Sequence, residues 1–174
     1  LEDVRDTLEQ VKALKPDNLT VHSLALKRAA RLNMFKEDYK DYKMVNTTEH
    51  MNLTAEYAKE MGLDGIYLHG HEGYLLEQMT NPAFNRRQMG RYKDYEMFGL
   101  DIIREIRKRA GDSFPIMYRI DLSLALNETY QERMNEVSSL KRFKNGRTIK
   151  DTLHYMAKLV RAGVDLFDVD LGCY

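Results

Sequence analysis

A chain of 174 residues is long enough for one ordinary domain with its own core and short for two. Its 27 basic and 27 acidic side chains cancel, so overall charge gives no pull toward nucleic acid or a membrane surface. A single cysteine, Cys173, excludes an internal disulfide framework and a cysteine-ligated iron–sulfur cluster within these residues, and no apolar run approaches the ~20 residues of a membrane helix.

Leu1-Glu2-Asp3-Val4-Arg5 lacks the charged-then-apolar order of a signal peptide and, without an initiator methionine, reads as a cut end. A soluble cytoplasmic protein, or a piece of one, is the expectation. Val4, Leu8, Val11 and Leu14 recur at helical spacing, which predicts an amphipathic helix over 1–14 that Pro16 ends. Leu19 to His22 reads as a short buried strand. Leu24 to Phe35 suits a helix or an ordered loop, and 36–46 is polar and exposed. A second helix starts near Thr47 or Thr48, either of which can cap it, and Met51, Thr54, Ala55, Ala58 and Met61 mark one face before Gly62 closes it.

Gly65 to His69 forms the next strand, and 79–93 is irregular. A third helix spans Tyr95 to Ala110, with Phe98, Ile102, Ile103 and Ile106 inward. The basic runs Arg104 to Arg109 and Lys141 to Lys144 have acidic neighbours and read as solvated faces. Phe114 to Ile120 is a strand, and 127–147 is a long polar loop of the kind that is functional or disordered. A fourth helix, Ile149 to Ala162, leads through Gly163 to a last strand, Leu166 to Val169. Gly-apolar-Asp precedes a strand twice, at Gly62-Leu63-Asp64 and Gly163-Val164-Asp165. Helix followed by strand, four times, predicts an α/β fold with a parallel sheet: a partial (β/α) barrel of four helix–strand units, half of an eight-stranded one.

Chemistry concentrates at Gly65 to Gln78. Ile66, Tyr67, Leu68 and His69 run into a turn marked by Gly70 and Gly73, and His69, His71, Glu72 and Tyr74 crowd it. Ligands of α/β folds gather at the C-terminal ends of strands. Two readings of these residues stay open. These polar groups can handle protons or metals, or else Tyr74 is a half-buried packing residue and Glu72 a solvated turn residue. His69-Gly-His71, with His22 as a third ligand at another strand end, also fits the His-x-His spacing of metal-dependent barrel hydrolases.

Asp64-Gly65-Ile66-Tyr67-Leu68-His69, Glu72 to Gln78, Asn85-Arg86, Ile103-Arg104-Glu105-Ile106-Arg107, Phe114 to Arg119 and Ala162-Gly163-Val164-Asp165 together resemble the Old Yellow Enzyme family, especially its 2,4-dienoyl-CoA and enoate reductase branch. The resemblance covers 64–174. It implies a flavin-binding barrel that uses FMN, takes electrons from NAD(P)H and reduces an activated C=C bond of an enoyl or dienoyl substrate.

By motif, Tyr74 matches the proton donor; a phenol, with a pKa of about 10, stays protonated at neutral pH. Glu72 matches the dienoyl-CoA reductase variant that holds this tyrosine, and His69 the position that hydrogen-bonds a substrate carbonyl. Arg119 matches the arginine set against the flavin pyrimidine ring, where a cation tunes the cofactor; its plain alternative is an ion pair with Asp121 or Glu72. Asn85, Arg86 and Arg87 fall on the acyl side of the substrate.

Residues 1–63 resemble another family. Leu1 to Leu8, Lys15 to Leu24 and Thr54 to Leu63 are similar to the later barrel of oxygen-independent coproporphyrinogen-oxidase-like radical-SAM proteins, without their cysteine triad. The two resemblances meet at Met61–Asp64 and imply a chimera of two barrel fragments forming one continuous α/β domain. The flavin phosphate site of the family lies on barrel strands beyond Tyr174, so weak FMN binding is expected of these residues alone. The bland alternative is an inactive half-barrel that self-associates, a homodimer completing the barrel through open sheet edges.

Overall fold

The computed structural model of the chain describes residues 2–21, 47–122 and 145–170. It divides into two compact units, Leu1–Leu63 and Asp64–Tyr174.

In the first unit, α1 (Glu2–Leu14) packs against α2 (Thr47–Glu60). Glu2 and Asp3 in the first turn of α1 and Lys12 in its last complement the helix dipole. Leu8 of α1 meets Leu53 and Tyr57 of α2, with Val4, Leu19 and Met61 around them. Polar contacts line the seam: Tyr57 donates to Glu9 Oε1 at 2.8 Å, and Lys12 Nζ to Glu60 Oε2 at 2.9 Å. Leu14, expected on the apolar stripe, is exposed, because it ends the helix where Lys15 takes a positive φ and the chain turns away. The strand expected at Leu19–His22 is not formed over its described residues 19–21: a strand needs a neighbouring ladder, and these residues have none among the described ones. His22, the 24–35 and 36–46 segments, Lys141 to Lys144, most of the 127–147 loop and Cys173 lie outside the described residues.

The second unit runs β1 (Ile66–Gly70), α3 (Leu75–Thr80), a 3-10 turn (Arg91–Lys93), α4 (Met97–Ala110), β2 (Ile116–Asp121), α5 (Ile149–Ala162) and β3 (Leu166–Asp170). The three strands are parallel, in the order β1-β2-β3. Three of the four expected helix–strand units are therefore present as read. The short helix α3, inside the glycine-marked motif, was not anticipated.

Alternation along the strands makes two unlike faces. Leu68, Ile116, Tyr118 and Ile120 are buried, as are Phe98, Ile102, Ile103 and Ile106 of α4 and Tyr155 and Leu159 of α5. Tyr118 and Tyr155 meet edge to face with their hydroxyls 3.5 Å apart. Gly99 makes room for them, since a Cβ there would sit 1.9 Å from the Tyr155 hydroxyl. The other face falls into rows set by the register and turns polar toward the strands' C-terminal ends: Tyr67, Met117 and Leu166; then His69, Arg119 and Asp168; then Asp121 and Asp170. α5 starts at a capping box, with the Asp151 amide bonded to Thr148 Oγ1 and the Thr148 amide to Asp151 Oδ2.

Of the basic residues in the Arg104–Arg109 run, all but one lie on a solvated face. Arg104 and Lys108 are exposed, but the Arg107 side chain is 10% exposed. Its Nη1 donates to the carbonyls of Gly111, Asp112 and Phe114, its Nε to that of Gly163 at 2.9 Å, and its Nη2 to Asp165 Oδ2 at 2.5 Å. Asp165 in turn accepts the Ile116 amide at 2.8 Å. One fork thus ties the end of α4, the start of β2 and the α5–β3 turn. Lysine at 107 keeps the charge but cannot reproduce the planar fork. Arg107→Lys is expected to lower stability by about 2 kcal/mol, from buried carbonyls left unpaired, read as a lower denaturation midpoint with an unchanged slope; an unchanged midpoint contradicts this role.

Candidate functional site

At the C-terminal end of β1 the chain crosses close to β2. A Cβ at Gly70 would lie 2.5 Å from a Tyr118 ring carbon and 2.7 Å from the Arg119 carbonyl, so only glycine fits there. The chain then reverses through Glu72 (φ 58°) and Gly73 (φ 72°), both left-handed. A non-glycine residue in that conformation costs of order 1 kcal/mol and persists where the surroundings fix it. Here they fix it from α3: Gly73 N–H donates to Glu77 Oε2 at 2.5 Å, and Gln78 Nε2 donates to the Gly73 carbonyl at 2.5 Å.

That turn assembles the motif residues. Tyr74, half exposed, sets its ring 4.8 Å from that of His69 at a tilt of 53°. Glu72 bridges His69 and Arg119, with Oε2 3.4 Å from His69 Nε2 and Oε1 3.6 Å from Arg119 Nη2. His69 and Arg119 are register partners across β1 and β2. Tyr74, Glu72, His69 and Arg119, separated by up to 50 residues, therefore share one end of one sheet. Burial lowers the His69 pKa from its ordinary value, with Glu72 opposing and Arg119 adding to the shift, so the imidazole is neutral at pH 7.

Arg119 does not pair with Asp121. Its Nη2 donates to Asp170 Oδ2 at 2.5 Å, and Asp168 and Glu72 lie at 3.5 and 3.6 Å. The Tyr67 hydroxyl donates to the same Asp168 at 2.5 Å, and burial followed by that carboxylate pushes its pKa up to about 12. Two polar atoms of this face, Arg119 Nε and His69 Nδ1, are buried without a hydrogen-bond partner. The Arg119 side chain as a whole is part-exposed, and a guanidinium there suits an acceptor on the edge of a planar heterocycle, of which the pyrimidine edge of a flavin is one. At this point the residues present fit FMN.

Sequence reasoning missed the layer beneath. Glu77, Asp121 and Arg147 are fully buried and His71 nearly so. Arg147 Nη2 donates to Asp121 Oδ1 at 2.7 Å, and the guanidinium lies over the Tyr155 ring, 5.3 Å from its centroid. Asp121 appeared in the sequence only as a partner for Arg119, and Arg147 as the end of a polar loop. A carboxylate at Glu77, on the buried side of a helix with Leu76, Met79 and Thr80, was the one available signal.

The His-x-His reading divides. His69 goes with Glu72 and Tyr74, whereas His71, beyond the strand's end at Gly70, is buried and faces Asp170 at 3.7 Å. Two groups among the described residues bring three ligand-type atoms within 4.8 Å, His71–Glu72–Asp170 and His71–Glu77–Asp121, and neither includes His69. In each a guanidinium already supplies the positive charge, Arg119 at Asp170 and Arg147 at Asp121. Asn85 is structural: its amide donates to the carbonyls of Met79 and Tyr92, both at 2.8 Å, and its oxygen accepts the Arg87 amide at 3.1 Å. Arg86 and Arg87 are exposed, and Arg86 lines an open groove with Gln78, Ala83 and Phe84.

The chain is 31% identical over 125 residues to cinnamate reductase of Clostridium sporogenes, a match over 70% of this chain and 18% of that protein. In structure it is similar to 2-naphthoyl-CoA reductase solved with 2-naphthoyl-CoA (TM-score 0.56, 19% identity, 89% of this chain and 21% of that one). It is also similar to an old yellow enzyme homologue from Zymomonas mobilis (TM-score 0.50, 15% identity, 83% and 35%). The chain thus spans about a fifth of the length of the first two. The sequence model of the NADH:flavin oxidoreductase / NADH oxidase family matches residues 15–164, beginning well before residue 64, where the resemblance read from the sequence starts. The chain belongs to that family, and its parallel sheet with the helices that cover it is a portion of the Old Yellow Enzyme barrel.

Proposed function

We propose that this chain carries the proton-donating side of a flavin-dependent ene-reductase site, acting on a C=C bond conjugated to a carbonyl, as in an enoyl or dienoyl group. The observation that supports it is the arrangement of Tyr74 on His69, with Glu72 bridging His69 to Arg119, at the C-terminal end of β1. When bound, FMN reduced by a nicotinamide donor supplies hydride to one alkene carbon.

The chain's own residues handle the rest. Arg119, through its part-exposed guanidinium, would hold the flavin pyrimidine edge. Tyr74 gives its phenolic proton to the alkene carbon opposite the one that takes hydride, as a general acid. His69 presents Nε2 to Glu72, which favours the tautomer with the proton on that nitrogen and leaves Nδ1 as an acceptor. His69 also orients Tyr74 through the contact of their rings. Glu72, held in its left-handed conformation, links the acid to the flavin-facing arginine, so both sit at a fixed separation across the substrate.

A second reading, self-association along the sheet, has one observation in its favour: β1 and β3 each have a single ladder neighbour among the described residues, and Leu166 and Val169 of β3 are exposed. It predicts a mass in solution that rises with concentration beyond 20.4 kDa; a mass constant at the monomer value removes it.

Tyr74→Phe keeps the ring on His69 and removes only the hydroxyl. With FMN and NADH present, the variant is expected to reduce a cinnamate-type alkene about a hundredfold or more slowly, with flavin reduction by NADH unchanged. Equal alkene turnover by the two proteins, or none by the parent chain, contradicts the assignment.

A further inference from the structure

The Glu72–Tyr74 turn has an anchor that the chemistry above does not use. Glu77 is 0% exposed on α3, where an unpaired carboxylate is rarely found. Its Oε2 takes the Gly73 amide at 2.5 Å, and its Oε1 lies 3.4 Å from Asn81 Nδ2. Gly73 is the residue between Glu72 and Tyr74, so this bond fixes the backbone from which both side chains project.

Charged and titratable groups from three other segments face Glu77: His71 from the turn, Asp121 from the end of β2, and Arg147 from the segment before α5. His71, Glu77 and Asp121 bring ligand-type atoms within 4.8 Å of one another. Arg147 donates its Nη2 to Asp121 Oδ1, and on Glu77 it acts through its charge alone. The second oxygen, Asp121 Oδ2, is buried with no hydrogen-bond partner. The cluster around Glu77 thus holds one buried acceptor oxygen that no donor satisfies.

We propose that Glu77 is the positioning residue of the Glu72–Tyr74 turn, holding the Gly73 amide firmly as a carboxylate and loosely as a carboxylic acid that turns its proton toward Asp121. The inference rests on the ene-reductase reading of Tyr74 for its effect on turnover, and on geometry alone for the hold itself. A charged acceptor binds an amide about twice as strongly as a neutral one. Burial, then Asp121, pushes the Glu77 carboxyl up to about 7, against the pull of the Gly73 amide, so the change falls in the neutral range. The sign for stability is opposite to that for positioning. A carboxyl whose folded-state pKa is raised contributes stability below its unfolded value, and that contribution is lost as pH rises through about 7. The state that best holds the turn is the one that costs the fold.

The test follows the Gly73 amide by NMR against pH in the full chain, beside the pH profile of alkene reduction. In the parent the amide resonance is expected to titrate with a midpoint near neutrality, and kcat to rise about tenfold between roughly pH 6 and pH 8 as Glu77 ionises, with KM unchanged. Glu77→Gln keeps an acceptor for Gly73 and removes the proton, so both curves flatten. His71→Asn leaves Glu77 in place, so the titration persists even if Glu77→Gln does not fold. A Gly73 amide that does not titrate, a titration that survives Glu77→Gln, or one abolished by His71→Asn overturns the inference. Titration of Gly73 without alkene turnover in the parent sustains the hold and removes the ene-reductase reading instead.

Discussion

Arg147 pairs its guanidinium with buried Asp121, while a second fully buried carboxylate, Glu77, feels both charges, and the Glu72–Tyr74 turn is anchored on that carboxylate. Removing a partner from a buried charge cluster costs about 3–5 kcal/mol, because the remaining charge is stranded. Asp121 ends β2, Glu77 lies on α3 and Arg147 leads into α5, so the cluster joins three segments far apart in sequence. Through Glu77 it reaches Gly73, and through Gly73 the two left-handed residues that carry Glu72 and Tyr74 to the surface. The strain at Glu72 is held by this support, which is the usual place for strained backbone: at a site, and over-determined from below.

The opposite edge of the sheet has different work. There Arg107 gathers carbonyls from the ends of α4 and α5 and the approach to β2, and its carboxylate partner Asp165 takes the first amide of that strand. In barrel folds the C-terminal edge carries chemistry and the N-terminal edge stability. Arg119 and Arg107 divide along that line: one is part-exposed among three carboxylates, the other nearly buried among backbone carbonyls.

Much of this architecture was legible in the sequence. α5 and the strands of the second unit follow from periodicity and from glycines at their ends, and Tyr74, Glu72, His69 and Arg119 were found by motif. What escaped was of one kind. Leu19–Val21 has strand composition, but a strand also needs a neighbour. Arg107 lies in a run that composition marks as solvated, and only the folded positions of Gly111, Phe114 and Gly163 reveal its use. Asp121 and Arg147 are 26 residues apart in sequence and become a buried pair only when the segment entering α5 reaches the end of β2. Pattern reads local structure well; polar partners chosen across the fold leave little trace in it.

The central claim is that the face bearing Arg119, His69, Glu72 and Tyr74 is a flavin face. Its most direct measurement is the visible spectrum of FMN as the purified chain is added, for the parent and for Arg119→Ala. A saturable shift of the flavin bands is expected with the parent and a weaker or absent one with the variant, because the part-exposed guanidinium is the contact removed. An unperturbed flavin spectrum with the parent, or an identical shift with Arg119→Ala, contradicts it.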